Sequence, residues 1–500
     1  MSGEARKVKS QFIPAPIDGL NLIANPAAFK ATEARELQNY FVYDWGIRER
    51  GPQSVINSVS ATTMYSFYDL LGNERMVLMG DDENVYLMDS VGDASPDDIS
   101  GSVTITSSAN VNICAFNKNL FFFNETDIPW QYDVTGASDC VTISYTGLGP
   151  ANSGRFLASG WNYRSRLYAV EGVTGQANRV WYSGVSAIAG AMQFNDFGPV
   201  FDRPGHIVTG GSWGYNQGLS SDELFFVISS AGEVLFYSGD WPLASNWQLI
   251  GRAFIPKPTG RNCLVKIGQE ILVSTARGVL PMSQIFAGNA GENEYYSLSR
   301  KLGPFGIFED RNFSVDPQTP FLYGAAPSSS EPKTVFVQNY ERGAWSTILV
   351  TTAPACIATF GGYFFFSNGD GTSRLEITGN GEETEDEETR CVWKTPFFDF
   401  GSAVQKQSKM IRLVCQNLSS DIETVTHSVY LKSNFIDDGT VPSTVSSATG
   451  TATDDGVYHV QELNCPGAGR RLSFCFSKIP DGERNEVYGF EAHYEEGGLY

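Results

Sequence analysis

Histidine is scarce in this chain: His206, His427, His459 and His493 are the only four in 500 residues, and no two stand at metal-ligand spacing. Cysteine occurs eight times, at Cys114, Cys140, Cys263, Cys356, Cys391, Cys415, Cys465 and Cys475, without one C-x-x-C pair. So thin a scatter predicts neither a disulfide scaffold nor a zinc ribbon, but free thiols in a reduced, cytoplasmically made protein. Charged residues reach only 18%, against a usual ~25%. No apolar run of ~18 residues is present, so no membrane-spanning helix is expected. Met1-Ser2-Gly3-Glu4-Ala5-Arg6-Lys7 has no apolar stretch behind it, so no secretory signal is predicted. Cations are outnumbered, 35 Lys and Arg against 56 Asp and Glu, for a formal net charge of −21. That excludes a sequence-reading DNA binder, whose affinity comes from cations on phosphates. DNA could still slide past such a surface.

Catalytic signatures are equally sparse. There is no phosphate-binding loop, no dinucleotide fingerprint, no Trp-Asp dipeptide of WD40 repeats and no sialidase Asp-box. Gly210-Gly211-Ser212-Trp213-Gly214 matches G-x-S-x-G, but a nucleophile elbow needs a helix next, and Tyr215-Asn216-Gln217-Gly218 starts none. Asp81-Asp82-Glu83-Asn84 and Asn368-Gly369-Asp370-Gly371 could hold Ca²⁺ but lack EF-hand spacing, and hairpin turns use the same residues. The expectation is no enzyme, no cofactor, no metal and no catalytic residue. A glycosidase pair could still hide among the 56 acids.

What the chain has in quantity is aromatics, 33 Phe, 22 Tyr and 9 Trp, together with 51 Gly. These favour short strands and tight turns. From about residue 52 to 378 one unit recurs, an aromatic strand, a polar turn and a second strand. Met76-Val77-Leu78-Met79 turns into Val85-Tyr86-Leu87-Met88, and Leu224-Phe225-Phe226-Val227-Ile228 into Val234-Leu235-Phe236-Tyr237. Similar hairpins begin at Leu120, Leu167, Ile271, Thr334 and Tyr363. About seven in this span give ~47 residues each, close to a four-stranded propeller blade. The fold class predicted is all-β, a β-propeller of about seven blades, with stacked sandwiches as the rival.

Before the ring, residues 1–51 read as an N-terminal arm with a short helix within 27–38, capped by Thr32. Too little of the arm is apolar for a core of its own, so it should dock on a neighbour. A second short helix is allowed at 186–192. After the ring, 379–390 is an acidic linker or loop holding Glu382, Glu383, Glu385, Asp386, Glu387 and Glu388, a candidate channel or surface acidic loop. Residues 391–500 predict a β-sandwich-like domain, with strands near 395–400, 410–415, 424–431, 457–463, 471–477 and 486–494.

Two stretches resemble a known family. Pro14-Ala15-Pro16-Ile17-Asp18-Gly19-Leu20-Asn21, Glu33-Ala34, Leu37-Gln38-Asn39 and Arg50-Gly51 resemble the N-terminal arm of tailed-phage virion proteins. Arg166-Leu167-Tyr168, Val180-Trp181-Tyr182, Phe194 and Phe197-Gly198-Pro199 open the second stretch. It continues through Gly232-Glu233-Val234, Tyr237-Ser238-Gly239-Asp240, Trp247, Gly251, Lys266-Ile267-Gly268 and Gly278-Val279-Leu280-Pro281-Met282-Ser283. This pattern is similar to the tail nozzle, the distal tail tube, of short-tailed bacteriophages. The resemblance implies a propeller core and a virion location in the phage tail. It also implies a homo-hexamer under the tail adaptor protein, with tail fibres or needle as neighbours, and phage DNA passing through the lumen without sequence recognition. Acid-rich channel walls would suit that passage. Rival readings are a receptor-binding or glycan-processing tail propeller and a portal-closing tail plug.

Overall fold

Six of the seven hairpins expected from sequence are the second and third strands of a blade; the one at Thr334 is the third and fourth. The structure is a computed structural model describing residues 7–25, 28–148, 156–172, 178–216, 221–288, 297–308, 312–325, 333–376, 390–417, 424–433, 446–451, 459–478 and 485–497. Blade one is Ala61–Tyr68, Glu74–Gly80, Val85–Met88 and Asp97–Asp98. Blade two is Asn112–Phe116, Asn119–Phe123, Trp130–Asp133 and Val141–Thr142. Leu157–Tyr163, Arg166–Glu171, Arg179–Ser183 and Gly190–Asp196 form blade three; Ile207–Asn216, Ser221–Ser229, Glu233–Ser238 and Gln248–Phe254 form blade four. Blade five has three strands, Leu264–Ile267, Glu270–Thr275 and Gly278–Pro281, followed by the short helix Met282–Phe286. Blade six is Phe313–Val315, Phe321–Ala325, Thr334–Asn339 and Ala344–Leu349.

Blade seven closes the ring. Its Cys356–Phe360, Tyr363–Asn368 and Gly371–Leu375 come from the end of the repeat, but its outer strand is Gln53–Asn57, from before blade one. Gly371 sits at φ +132°, and a Cβ there would meet the Asn57 carbonyl oxygen at 2.4 Å, so the clasp needs glycine. The seven-bladed propeller of the sequence reading is the observed fold.

Blades pack face to face through aromatic layers. Trp161, Tyr163, Tyr168 and Tyr182 of blade three meet Phe225 and Tyr237 of blade four, with Phe225 5.1 Å from the Tyr168 ring. Such rings bury ~150–250 Å² each and favour tilted or edge contacts. That is the use of the chain's aromatic excess.

The N-terminal segment corrects the sequence reading. Residues 28–38 form no helix: Glu33–Ala34 and Glu36–Gln38 are strands. The Thr32 hydroxyl donates to Asp18 at 2.6 Å instead of capping, while the buried Glu33 carboxylate accepts from Asn21 and pairs with Lys301, both at 3.1 Å. Tertiary partners outweigh a weak local propensity. The 186–192 helix is likewise absent, because Ser186 and Gly190 take positive φ and Gly190–Asp196 is the fourth strand of blade three, with Tyr145–Thr146 paired along its outer edge.

Nor is the segment a free arm, for it docks on its own chain. Val8–Pro14 pairs with Asn485–Gly497, and Glu36–Gln38 lies between blade six and Cys391–Lys394. One nine-stranded sheet thereby runs from blade six through Glu36–Gln38 and Cys391–Lys394 into Leu472–Lys478, Thr424–Ser433 and Ser446–Thr451. A second sheet holds His459–Gly469, Gln405–Asn417, Asn485–Gly497, Ile47–Glu49 and Tyr40–Val42. One apolar core spans both regions, from Phe336 and Trp345 of blade six to Trp393, Phe476 and Phe490. The strand expected at 395–400 lies earlier, at Cys391–Lys394; Pro396 has no N–H for a ladder, and only Phe398 bridges to Leu472.

Candidate ligand site on the propeller axis

The inner strands of all seven blades surround a cavity of about 410 Å³. Three of them carry a β-bulge at the same place, between Ala61 and Thr63, Leu157 and Ser159, and Ile207 and Thr209. A bulge bends its strand and re-aims a side chain. In each case the residue after the bulge bears a hydroxyl and lines the cavity.

Amides complete the ring across its width. Asn112 of blade two donates from Nδ2 to Asn262 Oδ1 at 2.7 Å, and its own Oδ1 accepts from the Gly160 backbone N–H at 2.9 Å. Ser159 and Thr209 lie 3.3 Å apart, oxygen to oxygen. Thr359 donates to the Val315 carbonyl at 2.7 Å, which ties blade seven to blade six. The Thr63 hydroxyl is buried and has no hydrogen-bond partner. Gly210 admits the Trp161 ring, since a Cβ there would approach it to 2.6 Å.

Two cations border the space. Arg261 is paired with Glu125, which neutralises it, while Lys266 is exposed and forms no ion pair with any described residue. Among the described residues no carboxylate lines the cavity. Nor could a duplex enter, because a major groove alone is about 12 Å wide and the cavity has the size of a small-molecule site.

The residues singled out from sequence lie elsewhere. Gly210-Gly211-Ser212-Trp213-Gly214 is part of the continuous inner strand Ile207–Asn216, with no helix after it, so there is no elbow. Asp82 accepts from the Asn84 backbone and the Tyr86 hydroxyl, and Asn368 from the Asp370 N–H, as hairpin turns do. Glu382, Glu383, Glu385, Asp386, Glu387 and Glu388 lie outside the described residues. His206 is held below its usual range by burial and then by Lys257. Among the described residues no group of three His, Cys, Asp or Glu side chains could hold a metal, and no helix is long and apolar enough to cross a membrane.

Sequence reasoning passed over the axial residues. Their signal is a hydrophobic-x-hydroxyl pattern at the head of three inner strands, Ala61-Thr62-Thr63, Leu157-Ala158-Ser159 and Ile207-Val208-Thr209.

The sequence matches no protein-family description and no curated protein. Among solved structures, the chain is similar to BBS1N in complex with ARL6DN, soaked with mercury, at 12% identity and a TM-score of 0.41, covering 66% of this chain and 97% of that one. The same complex soaked with lead is similar at 12% identity and a TM-score of 0.40, over 67% and 98%.

Proposed function

We propose that this chain is a structural subunit of the tail nozzle of a short-tailed phage, assembled as a homo-hexamer beneath the tail adaptor protein. The observation that carries the reading is the fusion of ring and sandwich through one nine-stranded sheet, which lets neither part move without the other. A tube wall under internal pressure needs such stiffness. The residues that resemble the nozzle family are blade framework: Tyr168, Val180 and Tyr182 fill the layer between blades three and four, Leu167 and Trp181 that between blades two and three, and Gly232-Glu233-Val234 leads from a turn into the third strand of blade four. DNA, in this reading, passes between copies, because the axis of a single ring is too narrow. Tail fibres or needle would meet the assembly at its exposed end, and the virion is its location.

Native mass measurement of the purified chain with its adaptor, followed by antibody labelling of virions, tests this. Six-fold rings and label at the distal tail are the expected result. A monomer that enters no virion overturns it.

A further inference from the structure

We propose that the axial cavity binds a small anionic polyol, the chemistry shared by sugar acids and sugar phosphates. This goes beyond the nozzle reading and does not depend on it.

Three observations converge. First, three bulges in three separate blades bring Thr63, Ser159 and Thr209 to the same cavity. A straight inner strand would satisfy the ring equally well, and bulges cluster where a side chain must be aimed. Second, the polar part of the lining, set among apolar residues such as Met64, Ile113, Leu264 and Ile357, consists largely of groups that both donate and accept, hydroxyls and amides, as a polyol requires. The Thr63 hydroxyl is buried without a partner, whereas buried polar groups are ordinarily hydrogen-bonded. A turn about the Thr63 Cα–Cβ bond would bring that oxygen to the cavity, where a ligand hydroxyl would supply the missing bond. Third, Lys266 lines the space, and among the described residues it has no ion pair and no carboxylate lines the cavity with it. In a chain of net charge −21, a cavity of that polarity selects an anion.

Size limits the ligand. About 410 Å³ lies at the low end of small-molecule pockets, ~300–1,000 Å³, so a mono- or disaccharide fits and a polymer does not.

The test is calorimetric titration of the full chain with glucuronate, glucose 6-phosphate, glucose and inorganic phosphate. Two variants accompany it, Lys266→Gln and Thr63→Val. Lys266 is exposed and the Thr63 hydroxyl bonds nothing, so both should keep the wild-type unfolding midpoint. Glucuronate or glucose 6-phosphate should bind with a Kd near or below ~1 mM. Whichever of the two binds more tightly separates a sugar acid from a sugar phosphate. Lys266→Gln should weaken the anionic ligands about tenfold, as loss of a charge-assisted bond does, and Thr63→Val should weaken them severalfold. Equal binding of glucose would remove the anionic part of the proposal, and equal binding of inorganic phosphate the polyol part. Absence of binding by all four, or binding untouched by both substitutions, would overturn it entirely.

Discussion

The Lys478 ammonium lies 2.9 Å from the Glu49 carboxylate, an ion pair between residues 429 positions apart and almost wholly excluded from water. Glu49 also accepts the Asn485 backbone N–H at 3.1 Å, and His427 Nε2 stands 3.8 Å from its other oxygen. The pair fastens the N-terminal segment to the last strands of the chain. Lys478→Met, which strands the buried carboxylate, should cost about 3–5 kcal/mol. Changing both partners, with Glu49→Leu added, should restore much of that. Urea unfolding followed by tryptophan fluorescence measures both; a single-variant loss under about 1 kcal/mol would count against a buried pair.

His427 sets an acid limit on the same region. Burial, and then the Lys478 charge, push its imidazole down to about 3, while Gln461 pulls it back slightly at 2.8 Å. Its folded pKa therefore lies below the unfolded value of ~6.5. The unfolded chain binds the extra proton, so the contribution is complete above about pH 6.5 and is lost progressively as pH falls towards 3. Stability should drop by up to about 1.4 kcal/mol per pH unit within that window. Thermal melts at pH 7 and pH 5 should separate for the wild type and come closer together for His427→Gln. Identical separations in the two proteins would refute the assignment.

Removing residues 1–45 should damage folding and not merely assembly. The deletion takes out Glu36–Gln38, which joins blade six to the sandwich, together with the fully buried Leu37, Tyr40 and Phe41. Leu37→Ala alone should cost about 2–5 kcal/mol. Proteolysis of the truncated chain should release the ring and degrade 391–500. A soluble truncated monomer with wild-type protease resistance would show the segment to be an appendage.

All eight cysteines are buried and none is in a disulfide. Burial raises the thiols of Cys114, Cys140, Cys415 and Cys465 to about 12, which keeps them protonated and slow to react. Iodoacetamide at pH 8 should leave the native chain nearly unlabelled. Denatured without reductant, it should take eight adducts by mass, and fewer would reveal bonded pairs.

The middle strands of the blades were legible because both faces are buried. Leu120-Phe121-Phe122-Phe123 and Tyr363-Phe364-Phe365-Phe366 are hydrophobic runs with turn residues beside them. The inner strands were not, for one face meets the axial cavity and is filled by Thr63, Ser159, Thr209 or Ser314, which reads like loop. The N-terminal segment misled for a different reason. Glu33-Ala34-Arg35-Glu36-Leu37 has helix-forming composition, and its strand state is imposed by partners such as Lys301 and Lys394 that lie hundreds of residues away. The candidate site needs the ring before its members can be seen together, since Asn112 and Asn262 are 150 positions apart.

The strand that shuts the ring is synthesised early and fitted late. Gln53–Asn57 must wait for Gly371–Leu375, and at roughly 5–20 residues per second the intervening chain takes on the order of 15 to 60 s to emerge. Throughout that interval its five residues are an unpaired edge, open to any other strand in reach. Ring closure is therefore a late event in synthesis, and a nascent chain halted before residue 371 carries six blades with nothing to lock them.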